Sequence, residues 1–447
     1  MSDAAPPAPP ASSSRTVWAW ALYDFANSAF TTLVVTFIYA TYFTQGIAAN
    51  ETDGTAQWSL AVTITAVLVA LLSPLLGAYA DSTGTRKRLL FLTTAVCIAA
   101  TVLLFFPGRG EVAFALGVFV VANVAFELQN VFYNAFLPEI APPDRIGRVS
   151  GLGWALGYVG GLLCMGVALF VFVQPETAPF GLDKDAGEHV RATNLLVAGW
   201  FALFSVPAFL VLREPKPEAP PAQRGVLRAT LGEIAETGRE IRRYRQIVRL
   251  LVARLVYNDG LVTVFAFGGI YAAGTFGFTF EEILVFGIAL NVAAGLGAFV
   301  FGFVDDRIGG KTTILISLAV LTLATVVAVA GQTPAALWTA GILLGIAAGP
   351  NQAASRSLLG RFVPDDKETE FYGFFAFSGK LTAFMGPLLL GQLTAAFDSQ
   401  RIGVASVVVF FAVGAALLLR VDEAEGVRLS GRAAVAGDPP VPDRPAR

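Results

Sequence analysis

The sequence has few charged residues, histidines and cysteines for its length. Only 14% of its 447 residues are charged, against roughly a quarter in ordinary soluble domains. One histidine and two cysteines are too few for a disulfide framework or a metal cluster. We therefore expect no metal and no cofactor. The net charge of −2 provides no basic surface for nucleic acid, so we expect no nucleic-acid partner.

What the sequence has instead is long apolar runs, and 55% of its residues are hydrophobic. Twelve runs are long enough to cross a bilayer core of about 30 Å. They lie near residues 17–43, 57–80, 89–106, 111–137, 147–173, 190–212, 246–274, 280–304, 311–330, 335–361, 370–396 and 401–420. This pattern predicts an all-α membrane protein with twelve transmembrane helices in two six-helix bundles, surrounded by a lipid bilayer.

A polar, proline-rich stretch between the sixth and seventh runs divides the chain. The prediction is a disordered tail over 1–15, an N-terminal six-helix bundle over 16–212 and a linker with an amphipathic basic helix over 213–245. A C-terminal six-helix bundle over 246–421 and a second disordered tail over 422–447 follow. Lysine and arginine concentrate in the loops after even-numbered runs. The positive-inside rule then predicts a multi-pass protein of the plasma (inner) membrane with both termini cytoplasmic. We expect a monomer.

The two halves repeat a loop sequence. GAYADSTGTRK at 77–87 and GFVDDRIGGK at 302–311 align at an offset of 225 residues. The alignment matches Gly77 with Gly302, Asp81 with Asp306, Gly84 with Gly309 and Arg86 with Lys311. Duplicated six-helix halves with a site at the membrane midplane between them are typical of secondary transporters.

The string from Gly77 to Arg88, with its echo after the eighth run, resembles the cytoplasmic loop motif of the major facilitator superfamily. YDFANSAF at 23–30, GRVSGLGWALGYVGGLL at 147–163 and EFYGFFAFSGKLTAFMGPLLLG at 370–391 are similar to its vacuole-effluxer branch, which includes fungal autophagy-related amino-acid permeases and bacterial members. The resemblance implies the major facilitator fold and a cytoplasmic gating latch. The latch residues would be Gly77, Asp81, Gly84, Arg86, Lys87, Gly302, Asp306, Gly309 and Lys311.

The chemistry of the first loop suits a latch. Asp81 is expected to face the N-terminus of the eleventh helix near Glu370, where the helix dipole favours an anion. Gly84 allows a tight turn. Arg86 to Arg88 are expected to hold the loop at an anionic leaflet. The alternative is an ordinary basic loop that serves membrane topology only.

Polar residues recur at helical spacing inside several apolar runs. In the first and fourth runs they fall on one helical face each, which in a bilayer must look inward. The predicted substrate or ion pathway comprises Asp24, Asn27, Thr31, Asn123, Glu127, Asn130 and Asn134 in the first half and Asn258, Asp259, Gln352, Arg356 and Lys380 in the second.

Two acids of the first half, Asp24 and Glu127, are expected to face two bases of the second, Arg356 and Lys380. Arg356 could bind a cargo carboxylate, and either acid could bind an ammonium group. A carboxylate at the midplane could also carry a coupling proton. The alternative for Asp24, Asn27 and Asn134 is a structural role in interhelical hydrogen bonds and packing. The alternative for Glu127 and Arg356 is a fixed salt bridge that locks the bundles. We expect Arg254 to extend to the membrane surface or to pair locally.

Together these features predict a secondary active transporter that moves a small polar solute, an amino acid being one option, by alternating access. The alternative within the same fold is a multidrug or lipophilic-compound effluxer, which the 36 phenylalanines favour. A membrane enzyme would need a nucleophile beside a base, and no such pair stands out. The small-molecule substrate is therefore expected to be carried and not converted.

Overall fold

The computed structural model describes residues 13–213 and 243–431, together with residues 232, 237 and 239. Every regular element in these ranges is helical. Most of the predicted basic helix of the linker and the outer parts of both predicted tails lie outside the described residues.

In the part of the chain that the structure describes, twelve long helices form two successive sets of six. The first half contains α1 (Ser14–Ile47), α2 (Glu51–Thr83), α3 (Arg86–Leu103), α4 (Val112–Ile140), α5 (Ile146–Val173) and α6 (Glu188–Val211). The second half contains α7 (Arg245–Phe276), α8 (Phe280–Ile308), α9 (Gly310–Ala330), α10 (Pro334–Phe362), α11 (Glu368–Phe397) and α12 (Gln400–Leu419). We call the end that carries the α2–α3 and α8–α9 loops the basic end, and the opposite end the far end.

Ten of the described helices are long and apolar enough to cross a membrane by length and composition. The other two of the predicted twelve are α3 and α10. The first turn of α3 is Arg86, Lys87 and Arg88, and α10 contains Pro350 and Arg356 among other polar residues. Their charged and polar residues set both helices apart for a structural reason, because they carry the chemistry of the basic end and of the interface between the halves.

Two long helices depart from regular α-geometry. In α1, residues Phe30–Phe37 and Phe43–Ile47 have π-type hydrogen bonding. In α11, the helix stops at Lys380 and resumes at Met385. Pro387 falls in the first turn of the second segment, where backbone N–H groups have no helical acceptor to lose. The break leaves Lys380 at the end of a helical segment beside the space between the halves.

A short helix, α13 (Glu423–Ser430), follows α12 and packs at the basic end. Its Glu423 carboxylate accepts hydrogen bonds from the backbone N–H groups of Gly310 and Lys311, at 2.9 Å each. An anion at the N-terminus of α9 is favoured by the helix dipole. The prediction of a disordered tail from residue 422 onwards is therefore wrong for residues 422–430. The first tail also ends earlier than predicted, because α1 begins at Ser14.

Candidate transport pathway

A cavity of about 330 Å³ lies between the two halves. Its walls come from α1, α4 and α5 on one side and from α7, α10 and α11 on the other. The predicted pathway residues in this wall are Asp24, Asn27, Thr31, Glu127, Asn130, Asn134, Asn258, Gln352, Arg356 and Lys380. The inward-facing polar stripes of the sequence thus converge on one space, as expected for side chains excluded from lipid.

The first of two ion pairs that cross the cavity joins Arg356 to Asp24. Arg356 Nη1 lies 3.0 Å from Asp24 Oδ2 and 3.1 Å from Asn134 Oδ1. Nε and Nη2 donate to the side chain and backbone oxygens of Ser150, at 2.9 and 2.7 Å. The guanidinium also lies over the ring of Trp20, 4.8 Å from its centroid. Four of the five N–H groups of this arginine are therefore occupied by the protein, and cargo would have to displace these partners.

The second ion pair joins Lys380 to Glu127. Lys380 Nζ lies 2.7 Å from Glu127 Oε1. The two side chains are 31% and 21% exposed, compared with 4% and 13% for Arg356 and Asp24. The alternative of a fixed Glu127–Arg356 salt bridge is wrong, because each residue has a different partner. The Lys380–Glu127 pair is wetted by the cavity and the Arg356–Asp24 pair is largely shielded.

Amide side chains fill much of the remaining polar wall. Asn27 donates to Asn130 Oδ1 at 3.2 Å, and Gln352 donates to Asn258 Oδ1 at 3.2 Å. Asn258 in turn donates to the carbonyl oxygen of Gly379 at 3.2 Å. These bonds stay within one half each, so they orient the amides without joining the halves.

Two predicted pathway residues lie outside the described wall. Asp259 follows Asn258 directly, and one residue rotates a helix by about 100°. Its side chain is buried at 2% exposure within the second half, and its carbonyl oxygen faces the α11 segment at Gly386. Asn123, buried at 6% exposure, precedes Glu127 by one helical turn toward the far end. Helical spacing placed Asn123 on the right face but not at the depth of the cavity.

Arg254 is an ionisable wall residue that the predicted pathway omitted, and of its two expected arrangements the local pairing is the one observed. It is 7% exposed and lines the cavity, so the expectation that it extends to the membrane surface is wrong. Nη1 donates to the carbonyl oxygen of Phe375 at 2.8 Å and to Ser378 Oγ at 3.0 Å. The guanidinium stacks 3.6 Å from the Phe375 ring centroid. The sequence signal that could have placed Arg254 in the cavity wall is its spacing of four residues from Asn258, since residues i and i+4 lie on the same face of a helix.

The α2–α3 loop joins the halves at the basic end. Asp81 accepts hydrogen bonds from the backbone N–H groups of Thr369 and Glu370, at 3.2 and 2.8 Å. This is the N-terminus of α11, the helix end to which the sequence analysis assigned it. A Cβ at Gly77 would lie 2.4 Å from the Thr369 carbonyl oxygen, so only glycine permits the approach. Gly84 ends α2 with a φ of 63°, the left-handed turn expected there.

Arg86 lies at the centre of this contact and not at a leaflet surface. It is 2% exposed and donates to Asp81, Glu139 and Glu368 at 3.2, 2.5 and 2.8 Å. It also donates to Thr369 Oγ1 at 2.7 Å. The expectation that Arg86 holds the loop at an anionic leaflet is therefore wrong, because three carboxylates compete for its charge. Lys87 donates to the carbonyl oxygen of Leu212 at the end of α6.

The α8–α9 loop makes a matching contact with the first half. Asp306 accepts hydrogen bonds from the backbone N–H groups of Gly147 and Arg148 at the N-terminus of α5, at 2.8 and 3.3 Å. A Cβ at Gly302 would lie 3.0 Å from the Gly147 carbonyl oxygen. Asp306 is thus the structural counterpart of Asp81, as their alignment indicates.

Lys311 aligns with Arg86 in sequence but does not make the same contacts. Lys311 Nζ donates to the carbonyl oxygen of Leu419 at the end of α12, which is the counterpart of the Lys87 contact with Leu212 at the end of α6. The turn is the reason. Gly309 has φ 88° and ψ 156°, whereas Gly84 has φ 63° and ψ 32°, so the two loops differ in path by about one residue.

A family model described as "Vacuole effluxer Atg22 like" matches residues 46–430. This chain belongs to the vacuole effluxer Atg22-like family. The match covers α2 to α13 and includes both loop motifs and all of the second half.

Curated relatives of this Atg22-like protein come from bacteria and fungi. It is 26% identical over 416 residues to the uncharacterized MFS-type transporter YxiO of Bacillus subtilis. That match covers 90% of this chain and 94% of YxiO. It is 24% identical over 278 residues to autophagy-related protein 22-2 of Aspergillus clavatus, covering 57% of this chain and 44% of the relative. The match therefore spans less than half the length of that fungal protein.

Solved structures of the major facilitator superfamily share the fold of this Atg22-like protein. The proton:xylose symporter XylE matches with a TM-score of 0.70 at 13% identity, over 94% of this chain and 98% of that one. The human organic anion transporter MFSD10 matches with a TM-score of 0.72 at 14% identity, over 90% and 99%. The family and these neighbours are transporters, so this chain is a multi-pass membrane transporter and not an enzyme.

Proposed function

We propose that this protein is a secondary carrier that moves a small polar solute by alternating access. The observation that carries the proposal is the cavity between the halves, crossed by two ion pairs whose acids come from one half and whose bases come from the other. An ion pair shared between two rigid bodies can open when they separate, and its members can then bind cargo or water.

The proposal assigns this conformation to a state closed at the cytoplasmic side. We place the basic end and both termini on the cytoplasmic side of the plasma membrane, because the short loops at that end carry most of the lysines and arginines found in short loops. Hydrogen bonds join the halves from that end as far as the cavity. They include the contacts of Asp81 and Asp306 at the basic end, a bond of 3.0 Å from Ser73 to the Gly373 carbonyl oxygen, and the Lys380–Glu127 pair. Opening toward the cytoplasm requires these bonds to break.

The polar wall favours a polar cargo of modest size. A cavity of about 330 Å³ lies at the lower end of the range for small-molecule sites. An amino acid fits both this chemistry and the fungal permeases of the same branch, and export is the direction that the family name suggests. Protons are a candidate coupling ion, and Glu127 is the carboxylate best placed to exchange one, since its side chain is 21% exposed in the cavity wall.

A lipophilic cargo is the second candidate. Phe126, Trp154 and Phe375 supply aromatic surface to the same cavity, and such faces bind apolar rings and cations. Against it stand the charged and amide groups of the wall, which an apolar cargo would leave without partners when it displaced water. A monomer, as expected from the sequence, suffices for either cargo because one chain supplies both walls.

Counterflow in proteoliposomes tests the carrier proposal. Purified protein is reconstituted with a high internal concentration of unlabelled solute, and entry of labelled solute is followed for amino acids, sugars and lipophilic cations in turn. A carrier exchanges at least one labelled solute faster than protein-free liposomes and shows saturation. A protein that accelerates exchange of none of them is not a carrier for these classes, and exchange of the lipophilic cations alone would select the second candidate.

A further inference from the structure

The described wall of the cavity carries one more positive group than negative groups. Its ionisable members are the acids Asp24 and Glu127 and the bases Arg254, Arg356 and Lys380. Arg356 and Lys380 each have an acid within 3.0 Å. Among the described residues, no carboxylate lies within ion-pair distance of Arg254. The unmatched charge of the cavity is therefore a guanidinium.

The guanidinium of Arg254 is oriented but incompletely bound. Its hydrogen bonds within the described chain start from Nη1, to Phe375 and Ser378, while Nε is buried without a hydrogen-bond partner. Stacking on Phe375 fixes the plane of the group. Nη2 makes no hydrogen bond with a described residue, so it is the atom of this guanidinium that can donate to a carboxylate in the cavity.

A glycine makes this position possible. A Cβ at Gly379 would lie 2.8 Å from Arg254 Nη1 and 3.2 Å from Nη2. The last turn of the first α11 segment is thereby open to the guanidinium, which reaches across it from α7. A buried charge without a counter-ion is unfavourable, so this arrangement is stabilised whenever an anion occupies the cavity.

We propose that Arg254 is the anion-binding residue of the carrier, and that the cavity prefers solutes with a carboxylate and net negative charge over zwitterions and neutral solutes of the same size. The inference rests on the proposed carrier function and narrows its cargo. An anion pairs with Arg254 without disturbing either existing ion pair. A zwitterion brings an ammonium group, for which the wetted acid of the described wall is Glu127, and it would have to share that carboxylate with Lys380.

Matched solutes test the preference. Lactate, alanine and lactamide have the same number of heavy atoms and differ in charge. A second trio, made of leucine and the hydroxy acid and hydroxy amide with the same carbon skeleton, extends the test to a larger side chain. The purified protein in detergent is titrated with each solute, and the melting temperature and Kd are measured. We expect both hydroxy acids to bind more tightly than the matching amino acids and amides.

Three variants identify the residue. Arg254→Gln should weaken hydroxy-acid binding by about tenfold or more and remove the preference over the amide. Arg254→Lys keeps the charge without the planar fork and should retain an intermediate preference. Arg109→Gln removes an exposed arginine from the α3–α4 loop and should change nothing. Should Arg254→Gln unfold, Gly379→Ala tests the same contact without changing charge, and the preference should fall there too.

Equal binding of anion, zwitterion and amide by the wild-type protein would overturn the inference, as would an unchanged preference in Arg254→Gln. Counterflow separates this failure from failure of the carrier proposal. If labelled alanine exchanges while the charge preference is missing, the carrier stands and the anion site falls. If no solute exchanges while lactate binding depends on Arg254, the anion site stands and the carrier proposal falls.

Discussion

Lys380 and Glu127, 253 residues apart, form a 2.7 Å ion pair across the cavity between the two halves. Both side chains are partly exposed, so water competes with the pair and its contribution to stability is small. Arg356 and Asp24 form the other ion pair across the cavity, with most of their surface shielded. The two pairs differ in the ease with which they open, and the first four predictions follow from that difference and from the contacts at the basic end.

Neutralising Glu127 should abolish transport while leaving the protein folded. In Glu127→Gln, Lys380 loses its partner in a wetted site, so the free energy of unfolding should fall by no more than about 1 kcal/mol. Counterflow in liposomes measures the first effect and thermal unfolding the second. Glu51→Gln, at an exposed position at the start of α2, is the matched control. Wild-type counterflow by Glu127→Gln would remove Glu127 from the pathway.

Neutralising Asp24 should destabilise the fold more than neutralising Glu127. Asp24→Asn leaves the buried Arg356 guanidinium without its carboxylate, and breaking a shielded pair typically lowers stability by about 3–5 kcal/mol. Arg356→Ala should abolish transport as well. The double variant Asp24→Asn/Arg356→Gln should be more stable than Asp24→Asn alone, because it removes the unpaired charge. Thermal unfolding of Asp24→Asn, Arg356→Gln and the double variant gives the comparison, and strictly additive losses would contradict a direct pair.

Neutralising Asp81 should favour opening at the basic end. Asp81→Asn weakens the carboxylate contact with the N-terminus of α11, an interaction of about 0.3–2 kcal/mol, which corresponds to a several-fold change in population. Ala353 of α10 is buried between the halves, where its carbonyl oxygen accepts a hydrogen bond from Ser150 Oγ of α5 at 2.8 Å. A cysteine introduced there reports opening through its rate of maleimide labelling. Cys97 and Cys164 are buried and give little background. Asp144→Asn, at an exposed position of the same end, should leave the rate unchanged.

Adding a methyl group at Gly77 should open the same end by steric means. The new Cβ would lie 2.4 Å from the Thr369 carbonyl oxygen, so α2 and α11 must separate. Labelling at Ala353→Cys should rise at least as much as in Asp81→Asn. Gly199→Ala is the matched control, since a Cβ there has open space around it and helix propensity alone should stabilise that variant slightly. Unchanged labelling in Gly77→Ala would show that the contact is not part of the closed state.

The docking of α13 should depend on pH. Hydrogen bonds from Arg245 and Gln246 hold the pKa of Glu425 below its ordinary value of 4.5. A lowered pKa means that the contact stabilises the folded state above pH 4.5 and is lost as the pH falls through the lowered value. Amide exchange of α13, corrected for intrinsic rates, should therefore accelerate below pH 4.5 in the wild type. Glu425→Gln should exchange faster at neutral pH and lose this dependence.

The sequence was sufficient for the twelve helices and their division into halves. Length and hydropathy carry that information, and the apolar runs of α3 and α10 were long enough to be found although both helices also carry charged or polar residues. The contact of Asp81 with the start of α11 was also predictable, since a loop that repeats in both halves implies a pair of equivalent contacts. The shape of a turn was not. Gly309 and Gly84 have different ψ values, and the match between Lys311 and Arg86 failed for that reason.

The sequence by itself determined which side chains must avoid lipid, because an ionisable group in an apolar helix has to face protein or water. It did not determine their partners. Only the tertiary structure paired Asp24 with Arg356 and Glu127 with Lys380, turned Asp259 away from the cavity and left Arg254 in its wall without an acid. The physical reason is that helical periodicity fixes the face on which a residue lies, whereas depth, rotation and the approach of the opposite half are set by packing between helices far apart in the chain.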